Sequence, residues 1–330
     1  MEAKTLQEAI KYFSDEQVCI DTVAKMRWPN GVECPACGAK EPYWIKTQKR
    51  WKCHDCRRQF SVKLGTIFED SPIPLTKWLP AMWLLVNCKN GVSSYEIHRD
   101  LGVSQKAGWF MLHRLRLILQ QPKPMTPDDQ IGGTGAVEVD ETFVGGRAKF
   151  MHKSKRLRLA QARSEIREAA NHSGKTIVMG MLDRKLRQVR ATVIPNTRRE
   201  TLQNHILREV FPGSKVYTDE WLGYQGLAKK FAHEIVNHME TYVDGKVHTQ
   251  GIENFWSLLK RGLKGTYVAV EPFHLFRYVD EQVFRFNNRK NEDGTKITDA
   301  ERFTKALSLV AGKRLTFAEV TGKAGSEATF

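Results

Sequence analysis

Cysteine is scarce in this sequence of 330 residues, and long apolar runs are missing. Six cysteines are too few for a disulfide scaffold in a chain of this length. The most apolar stretch, residues 78–86, is far shorter than the roughly 18 residues that a membrane-spanning helix needs. The first residues, MEAKTLQEAIKYF, lack the basic-then-apolar order of a secretory signal. We therefore expect a soluble cytoplasmic protein with no membrane partner.

Acidic residues are also in deficit. The chain has 52 Lys and Arg against 37 Asp and Glu, a formal net charge of +15. A surplus of this size indicates a polyanionic partner, with nucleic acid first and an acidic membrane surface second.

The order of apolar and turn-forming residues divides the chain into segments. A linker, QPKPMTPDDQIGG, contains three prolines and a glycine pair that break any regular element. Strand-like runs alternate with helical stretches after it, which predicts a mixed α/β domain. The predicted boundaries are 1–70 for a helix and a cysteine cluster, 71–121 for a helical region, 122–134 for the linker, 135–290 for the α/β domain and 291–330 for a polar tail.

Four of the cysteines form the pattern C-x2-C-x15-C-x2-C. Two such knuckles place four thiolates around one tetrahedral Zn²⁺, and Gly38 supplies a tight turn. His54 lies in the second knuckle, but four thiolates already complete the coordination. The pattern predicts a structural zinc ribbon, which either touches DNA phosphates through its basic residues or has a purely structural role. The predicted ligands are Cys34, Cys37, Cys53 and Cys56.

A helix-turn-helix pattern follows the ribbon. Ser93 and Glu96 have the spacing of a capping box at a helix start. Gly102 then suits the end of this helix and the turn after it, and Ser104 suits the N-cap of the next helix. Two helices with a glycine-containing turn between them match a DNA-binding helix-turn-helix, and an ordinary helical hairpin with a solvated charged face is the alternative. The side chains predicted on the outer faces of the second helix are Gln105, Lys106, His113, Arg114 and Arg116.

Three acids stand where strands end or a helix begins. Asp140 follows alternating valines, Asp219 ends the short strand KVYT, and Glu253 lies beside the apolar stripe of a helix. Converging carboxylates of this kind hold a pair of Mg²⁺ ions for in-line displacement at phosphorus. Acids at strand ends are common, however, and most are solvated or cap helices, so the spacing alone leaves both interpretations open.

Longer motifs around these acids resemble the IS1595 (ISXO2-like) family of insertion-sequence transposases. The resemblance extends from about residue 19 to about residue 320 and includes the cysteine ribbon. The segments that carry it are VEVDETFVGG, YTDEWLGY, HTQGIENFWSLLKRGLKGTY, FRYVDEQVFRFNNR and RRQFSVKLGTIFEDS. It implies an α/β fold with an RNase H-like catalytic domain, a mixed sheet flanked by helices, preceded by the zinc ribbon and the helix-turn-helix region. It also implies DDE chemistry.

The resemblance assigns the site residue by residue. Asp140, Asp219 and Glu253 form the triad that binds Mg²⁺ or Mn²⁺, and Glu253 follows Asp219 by 34 positions. Lys260 matches the family's lysine seven positions after the third acid. Gln250 stands where the family pattern has asparagine, and His248 either lines the site or has a capping or solvated role. The neighbouring acids are not expected to be ligands; they are Glu138, Glu141 and Glu220.

A basic segment interrupts the α/β domain at residues 147–175. Its first 22 residues, 147–168, contain eight Arg or Lys and two Glu. Next to a site that handles DNA, such a segment tracks the backbone by neutralising phosphates. A solvated face with no DNA contact is the alternative.

The leading hypothesis is a DNA transposase that cleaves at element ends and transfers the strand into target DNA. Its partners are the terminal inverted repeats and target DNA, and processing of two ends together implies a homodimer or a larger assembly. The resemblance implies a bacterial, nucleoid-associated protein. Two rivals remain: a non-enzymatic DNA-binding regulator with an idle catalytic domain, and a nuclease that only hydrolyses.

Overall fold

The computed structural model describes residues 3–145, 153–154, 157, 175–236, 248–291 and 293–323. The predicted basic segment at 147–175 lies almost entirely outside these residues. The helices, in chain order, are α1 Leu6–Tyr12, α2 Glu16–Arg27, α3 Leu75–Asn87, α4 Ser94–Leu101, α5 Gln105–Ile118, α6 Arg199–Glu209, α7 Gln250–Gly265, α8 Leu275–Asn287, α9 Asp299–Leu307 and α10 Phe317–Val320. The strands are β1 Tyr43–Ile45, β2 Arg50–Lys52, β3 Gln59–Phe60, β4 Ala136–Val144, β5 Thr176–Asp183, β6 Gln188–Ile194, β7 Lys215–Thr218 and β8 Ala232–Ile235.

The chain forms two compact units. One unit contains Met1–Gln120 together with Asn288–Phe330, and the other is Gln121–Asn287. The polar tail therefore belongs to the first unit rather than standing alone. Phe303 of α9 packs against Phe13 and Trp83, with ring centroids 5.3 and 5.6 Å away.

Helix α3 is the centre of the first unit. Almost every side chain from Trp78 to Val86 is buried, and α1, α2 and α9 pack against this helix. A helix that is apolar on all sides is buried in a core, which explains the apolar run in the sequence. Among the helices in the described ranges, none is long and apolar enough to cross a membrane.

The ribbon is a three-stranded antiparallel sheet in the order β1-β2-β3. Trp51 pairs with Trp44 on one side and with Phe60 on the other. The rings of Trp51 and Phe60 stack with centroids 5.9 Å apart, and Trp28 of the segment after α2 lies edge-on to both. Aromatic packing thus substitutes for a core that so small a sheet cannot supply.

Helices α4 and α5 have the predicted caps. Ser93 and Glu96 form a capping box, and Gly102 ends α4 in the left-handed conformation with φ of 58°. The Ser104 side chain accepts from the N–H of Ala107 at the start of α5.

Only some of the basic side chains that were predicted to face outward on α5 are exposed. Lys106 is exposed, but His113, Arg114 and Arg116 are buried. The Arg114 guanidinium donates to the carbonyl oxygen of Glu69 over 2.6 Å and lies over the Trp78 ring. The prediction of exposure was wrong for these three residues, because the C-terminal two-thirds of α5 packs on more faces than its apolar stripe indicates.

The second unit contains a mixed five-stranded sheet in the order β6-β5-β4-β7-β8. Strands β4, β5 and β6 are antiparallel, whereas β7 and β8 run parallel to β4. One face of the sheet packs against α6 through Leu202 and Ile206, and the other packs against α7 and α8. This mixed α/β architecture, with helices on both faces, confirms the fold class at that level.

Side chains along β4 alternate between the two faces of the sheet. Val137 and Val139 point into the core beneath α6. Successive side chains on a strand point to opposite faces, so Glu138 and Asp140 lie on the face covered by α7. The predicted linker is partly attached to this unit, since Ile131 N–H donates to the carbonyl oxygen of Glu209 over 2.9 Å.

Candidate active site

The candidate site lies where β4 and β7 run side by side. Their parallel register pairs Val137 with Val216 and Glu138 with Tyr217. Continued by two residues on each strand, this register aligns Asp140 with Asp219. Adjacent strands are about 4.8 Å apart, and aligned residues on parallel strands point to the same face. We therefore infer that the two aspartates are neighbours, with Asp140 in the middle of β4 and Asp219 directly after the last residue of β7.

Helix α7 brings the third predicted acid to the same face. Glu253 is in the first turn of α7, its side chain is exposed, and its Oε1 accepts from the Thr249 hydroxyl over 3.1 Å. The pKa of Asp140 is raised to about 6, chiefly by burial and in smaller part by the charges of Asp219 and Glu253. The carboxylates of Asp219 and Glu253 are thus both within electrostatic reach of Asp140.

Trp256 connects α7 to the central strand. Its indole N–H donates to Oδ2 of Asp140 over 2.9 Å, which lowers the pKa of Asp140 against the effect of burial. The Trp256 ring passes over Gly180 of β5, which is the residue that pairs with Asp140 of β4. A Cβ at Gly180 would lie 2.5 Å from the Trp256 ring and 2.9 Å from Ile252, so only glycine lets α7 approach this closely.

Glu138 fixes the start of α7. It is 1% exposed, its Oε2 accepts from the N–H of Ile252 over 2.8 Å, and its Oε1 forms an ion pair with Arg184 over 2.6 Å. Arg184 also donates to the ring of His248 over 2.9 Å. A carboxylate is stabilised at a helix N-terminus, so Glu138 both caps α7 and tethers it to the sheet.

The sequence did not reveal this role of Glu138. A signal was present in Gly251, where a Cβ would lie 2.9 Å from Oε2 of Glu138. The glycine lets the backbone at the start of α7 come close to the side chain of the strand acid.

Lys260 stands two turns after Glu253 on α7 and is half-buried. Seven residues bring a helical side chain back to nearly the same face, about 10 Å further along the axis. Lys260 therefore lies along the same side of the helix as Glu253.

Glu141 lies next to the site but belongs to the other face of the sheet. The pKa of Glu141 is raised to about 8, chiefly by burial and in smaller part by the charges of Asp140 and Asp219. The Tyr224 hydroxyl donates to Glu141. The third neighbouring acid, Glu220, is exposed to solvent.

The four predicted zinc ligands form a separate cluster in the first unit. The Sγ atoms of Cys34 and Cys56 are 3.6 Å apart, those of Cys37 and Cys53 are 3.5 Å apart, and all four lie within 4.8 Å of one another. Four thiols at these distances suit tetrahedral coordination of Zn²⁺. His54 stays outside the cluster and lies 3.2 Å from Asp55.

Within the part of the chain that the structure describes, no second group of potential ligands is this compact. Asp140, Asp219 and Glu253 are all described, and their carboxylates do not form a ligand group of this kind.

Comparisons with known proteins identify a family domain in each part of the chain. Residues 133–287 match the ISXO2-like transposase domain, and residues 14–59 match the transposase zinc-ribbon domain. A transposase-like protein of Haemophilus influenzae is 34% identical over 102 residues, which cover 82% of that protein and 31% of this chain. The chain belongs to the IS1595 (ISXO2-like) transposase family.

A longer match supports the family assignment. An uncharacterized protein in the transposable element ISH50 of Halobacterium salinarum is 28% identical over 261 residues, covering 77% of this chain and 85% of the relative. The ISXO2-like domain contains Asp140, Asp219, Glu253 and Lys260, and the zinc-ribbon domain contains all four cysteines. The family membership makes this chain a transposase with an N-terminal zinc ribbon.

Proposed function

We propose that this transposase cleaves DNA at the ends of its element and joins the freed ends to target DNA by DDE chemistry. What supports the proposal is the parallel register of β4 and β7, which brings Asp140 opposite Asp219 when it is continued by two residues, together with the charges of Asp219 and Glu253, which act on Asp140. The strand order, three antiparallel strands followed by two parallel ones, supports an RNase H-like catalytic domain.

Mg²⁺ or Mn²⁺ suits this donor set. The acids offer oxygen ligands, which hard cations prefer. The pKa of Asp140 is raised first by burial and then by the charges of Asp219 and Glu253, and a cation would offset both effects. Asp140, Asp219 and Glu253 are the residues that would hold the ions. A bound pair of such ions activates the attacking oxygen and stabilises the leaving oxygen during displacement at phosphorus.

The protein's own residues supply position and charge. Trp256 orients Asp140, and the pair of Glu138 and Arg184 holds the start of α7, which carries Glu253. Lys260 binds a DNA phosphate further along the same helix. Water attacks the phosphodiester at the element end first, and the freed 3′-hydroxyl then attacks target DNA, with no covalent enzyme intermediate.

Recognition of the terminal inverted repeats falls to the zinc ribbon and the helices of residues 77–120. In a helix-turn-helix the N-terminal residues of the second helix read the base edges. The caps at Gly102 and Ser104 and the exposed side chain of Lys106 at the start of α5 support this assignment. Because two ends are processed together, the active form is a homodimer or a larger assembly on DNA.

The test is a strand-transfer assay with Mg²⁺, a duplex that carries the element end and a plasmid target. Asp140→Ala and Asp219→Ala should abolish cleavage and joining while binding to the element end persists. Glu220→Ala, which removes the exposed acid directly after Asp219, should retain activity. Retained joining by either aspartate variant would overturn the proposal. Wild-type binding without any cleavage would indicate the regulator, and cleavage without joined products would indicate a nuclease.

A further inference from the structure

Trp221 is an exposed tryptophan two residues after Asp219. It is 48% exposed, and the next residue, Leu222, is 66% exposed. Exposure of so large an apolar ring costs free energy unless something covers it during function.

The Trp221 ring is held in place rather than loosely solvated. Its backbone N–H donates to Oδ1 of Asp219 over 3.1 Å, and its indole N–H donates to the carbonyl oxygen of Thr197 over 3.1 Å. A Cβ at Gly223 would lie 2.9 Å from Cδ1 of Trp221, so one side of the indole rests on a residue without a side chain. The indole N–H of Trp221 has a hydrogen-bond acceptor, and one side of the ring is packed. The rest of the apolar ring surface is exposed to solvent.

Two arginines follow the residue that holds the ring. Thr197, the acceptor for the indole N–H, is followed directly by Arg198 and Arg199 at the start of α6, and both arginines are exposed. A fixed aromatic surface beside basic side chains matches what binds single-stranded nucleic acid, where bases stack on aromatic rings and cations contact the backbone.

We propose that Trp221 is a base-stacking platform for an unpaired DNA base next to the phosphodiester that is cut. The proposal rests on the proposed function, because it takes the reacting strand to lie at Asp140 and Asp219. The hydrogen bond from the Trp221 backbone to Asp219 fixes the platform relative to that carboxylate. A base stacked on Trp221 thereby sets which phosphodiester faces the acids. The cost of unpairing is least where a base is already single-stranded or mismatched.

The test is a binding experiment without divalent cations, so that it does not depend on catalysis. Three duplexes carry the same element end: one blunt, one with a short single-stranded end, and one in which that single-stranded end consists of abasic nucleotides. Wild-type protein should bind the single-stranded end more tightly than the abasic one, by between about 5-fold and 150-fold for one stacked base. Trp221→Leu should remove this preference, and Trp221→Phe should keep part of it.

Phe211 offers a matched control. It is 42% exposed, close to the value for Trp221, but it precedes β7 whereas Asp219 follows that strand. Phe211→Leu should leave the preference unchanged, and all variants should show the wild-type circular dichroism spectrum.

The outcomes separate the two proposals. If Trp221→Leu keeps the preference, or Phe211→Leu loses it equally, the platform is overturned while the proposed function stands. If Trp221→Leu changes only the oligomeric state, the ring covers a protein interface and the platform is likewise overturned. Failure of the wild-type protein to bind any of the three duplexes would overturn both.

Discussion

Trp256 and Asp140 are joined by a hydrogen bond of 2.9 Å between the indole N–H and Oδ2. The bond links the helix that carries Glu253 to the central strand of the sheet. It also favours the ionised form of a carboxyl group whose burial favours the protonated form. One side chain thus affects both the position and the charge of the candidate site.

Replacing Trp256 with Phe keeps a ring over Gly180 but removes the N–H donor. The ionised form of Asp140 loses a stabilising partner, so its pKa should rise and the acid limb of the cleavage-rate profile should move up by about one pH unit. The measurement is the initial cleavage rate of an end-bearing duplex between pH 5 and 9. Trp78→Phe removes an indole donor to Ser71 in the first unit. This variant should leave the acid limb of the cleavage-rate profile at the wild-type pH. An unchanged limb in Trp256→Phe would contradict the role given to the bond.

Gly180→Ala tests the approach of α7 to the sheet. The new methyl group would lie 2.5 Å from the Trp256 ring, so the helix has to move and take Trp256 and Glu253 with it. We expect the free energy of unfolding to fall by about 1–3 kcal/mol. The cleavage rate should fall by as much as about 100-fold, as misplacement of reacting groups can cause. Gly265→Ala, at the end of the same helix with open space around it, should change neither quantity. Equal behaviour of the two variants would count against the packing argument.

Asp140→Asn should stabilise the metal-free protein at neutral pH. An aspartate with a folded pKa of about 6, above its unfolded value of about 3.9, binds its proton more tightly in the folded chain. The free energy of unfolding therefore falls as pH rises from about 4 to about 6 and stays low above that range. Asparagine does not ionise, so the variant should exceed wild type by up to about 3 kcal/mol at pH 7.5 and match it near pH 3.5.

The measurement for Asp140→Asn is urea unfolding at both pH values in the presence of a chelator. Asp128→Asn, a change at an exposed acid of the same unit, should have little effect at either pH. If the difference in the free energy of unfolding between wild type and Asp140→Asn does not vary with pH, burial does not raise the pKa of Asp140.

The cysteine cluster should bind one zinc ion per chain. Cys53 is fully buried in the cluster, and its replacement by serine should lower the zinc content and unfold the ribbon, because a structural zinc contributes folding free energy directly. Zinc content by elemental analysis and protease sensitivity near residue 50 are the readouts. Cys88→Ser, which changes a cysteine outside the cluster, should retain the metal. Full zinc content in Cys53→Ser would exclude the four-cysteine site.

Short-range patterns allowed much of the structure to be predicted. The caps at Ser93 and Ser104 depend on residues within one helical turn, and the structure confirms both. The zinc cluster follows from two knuckles of fixed spacing. The strand positions of Asp140 and Asp219 follow from the alternation of valines and from the short run KVYT. The metal-binding and catalytic roles of these acids remain predictions.

Contacts between distant segments could not be predicted. Gly180 and Trp256 meet only because α7 crosses β5, and no local pattern relates the two residues. Glu138 was expected only not to be a metal ligand, and its contacts with Arg184 and with the start of α7 were not predicted. Arg114 was expected in solvent, and its burial depends on Trp78 and on the carbonyl oxygen of Glu69. In each case the environment comes from packing between elements that are far apart in the chain.

The position of Phe303 has a consequence for synthesis on the ribosome. This residue completes the core around Phe13 and Trp83, but it is translated only after the whole of Gln121–Asn287. The unit that carries the zinc ribbon therefore cannot finish folding until the α/β unit has been made. A chain that stops early, near residue 290, would hold all three proposed catalytic acids yet lack part of the hydrophobic core of the other unit. If that unit recognises the element ends, as proposed, nascent and truncated products should select those ends poorly.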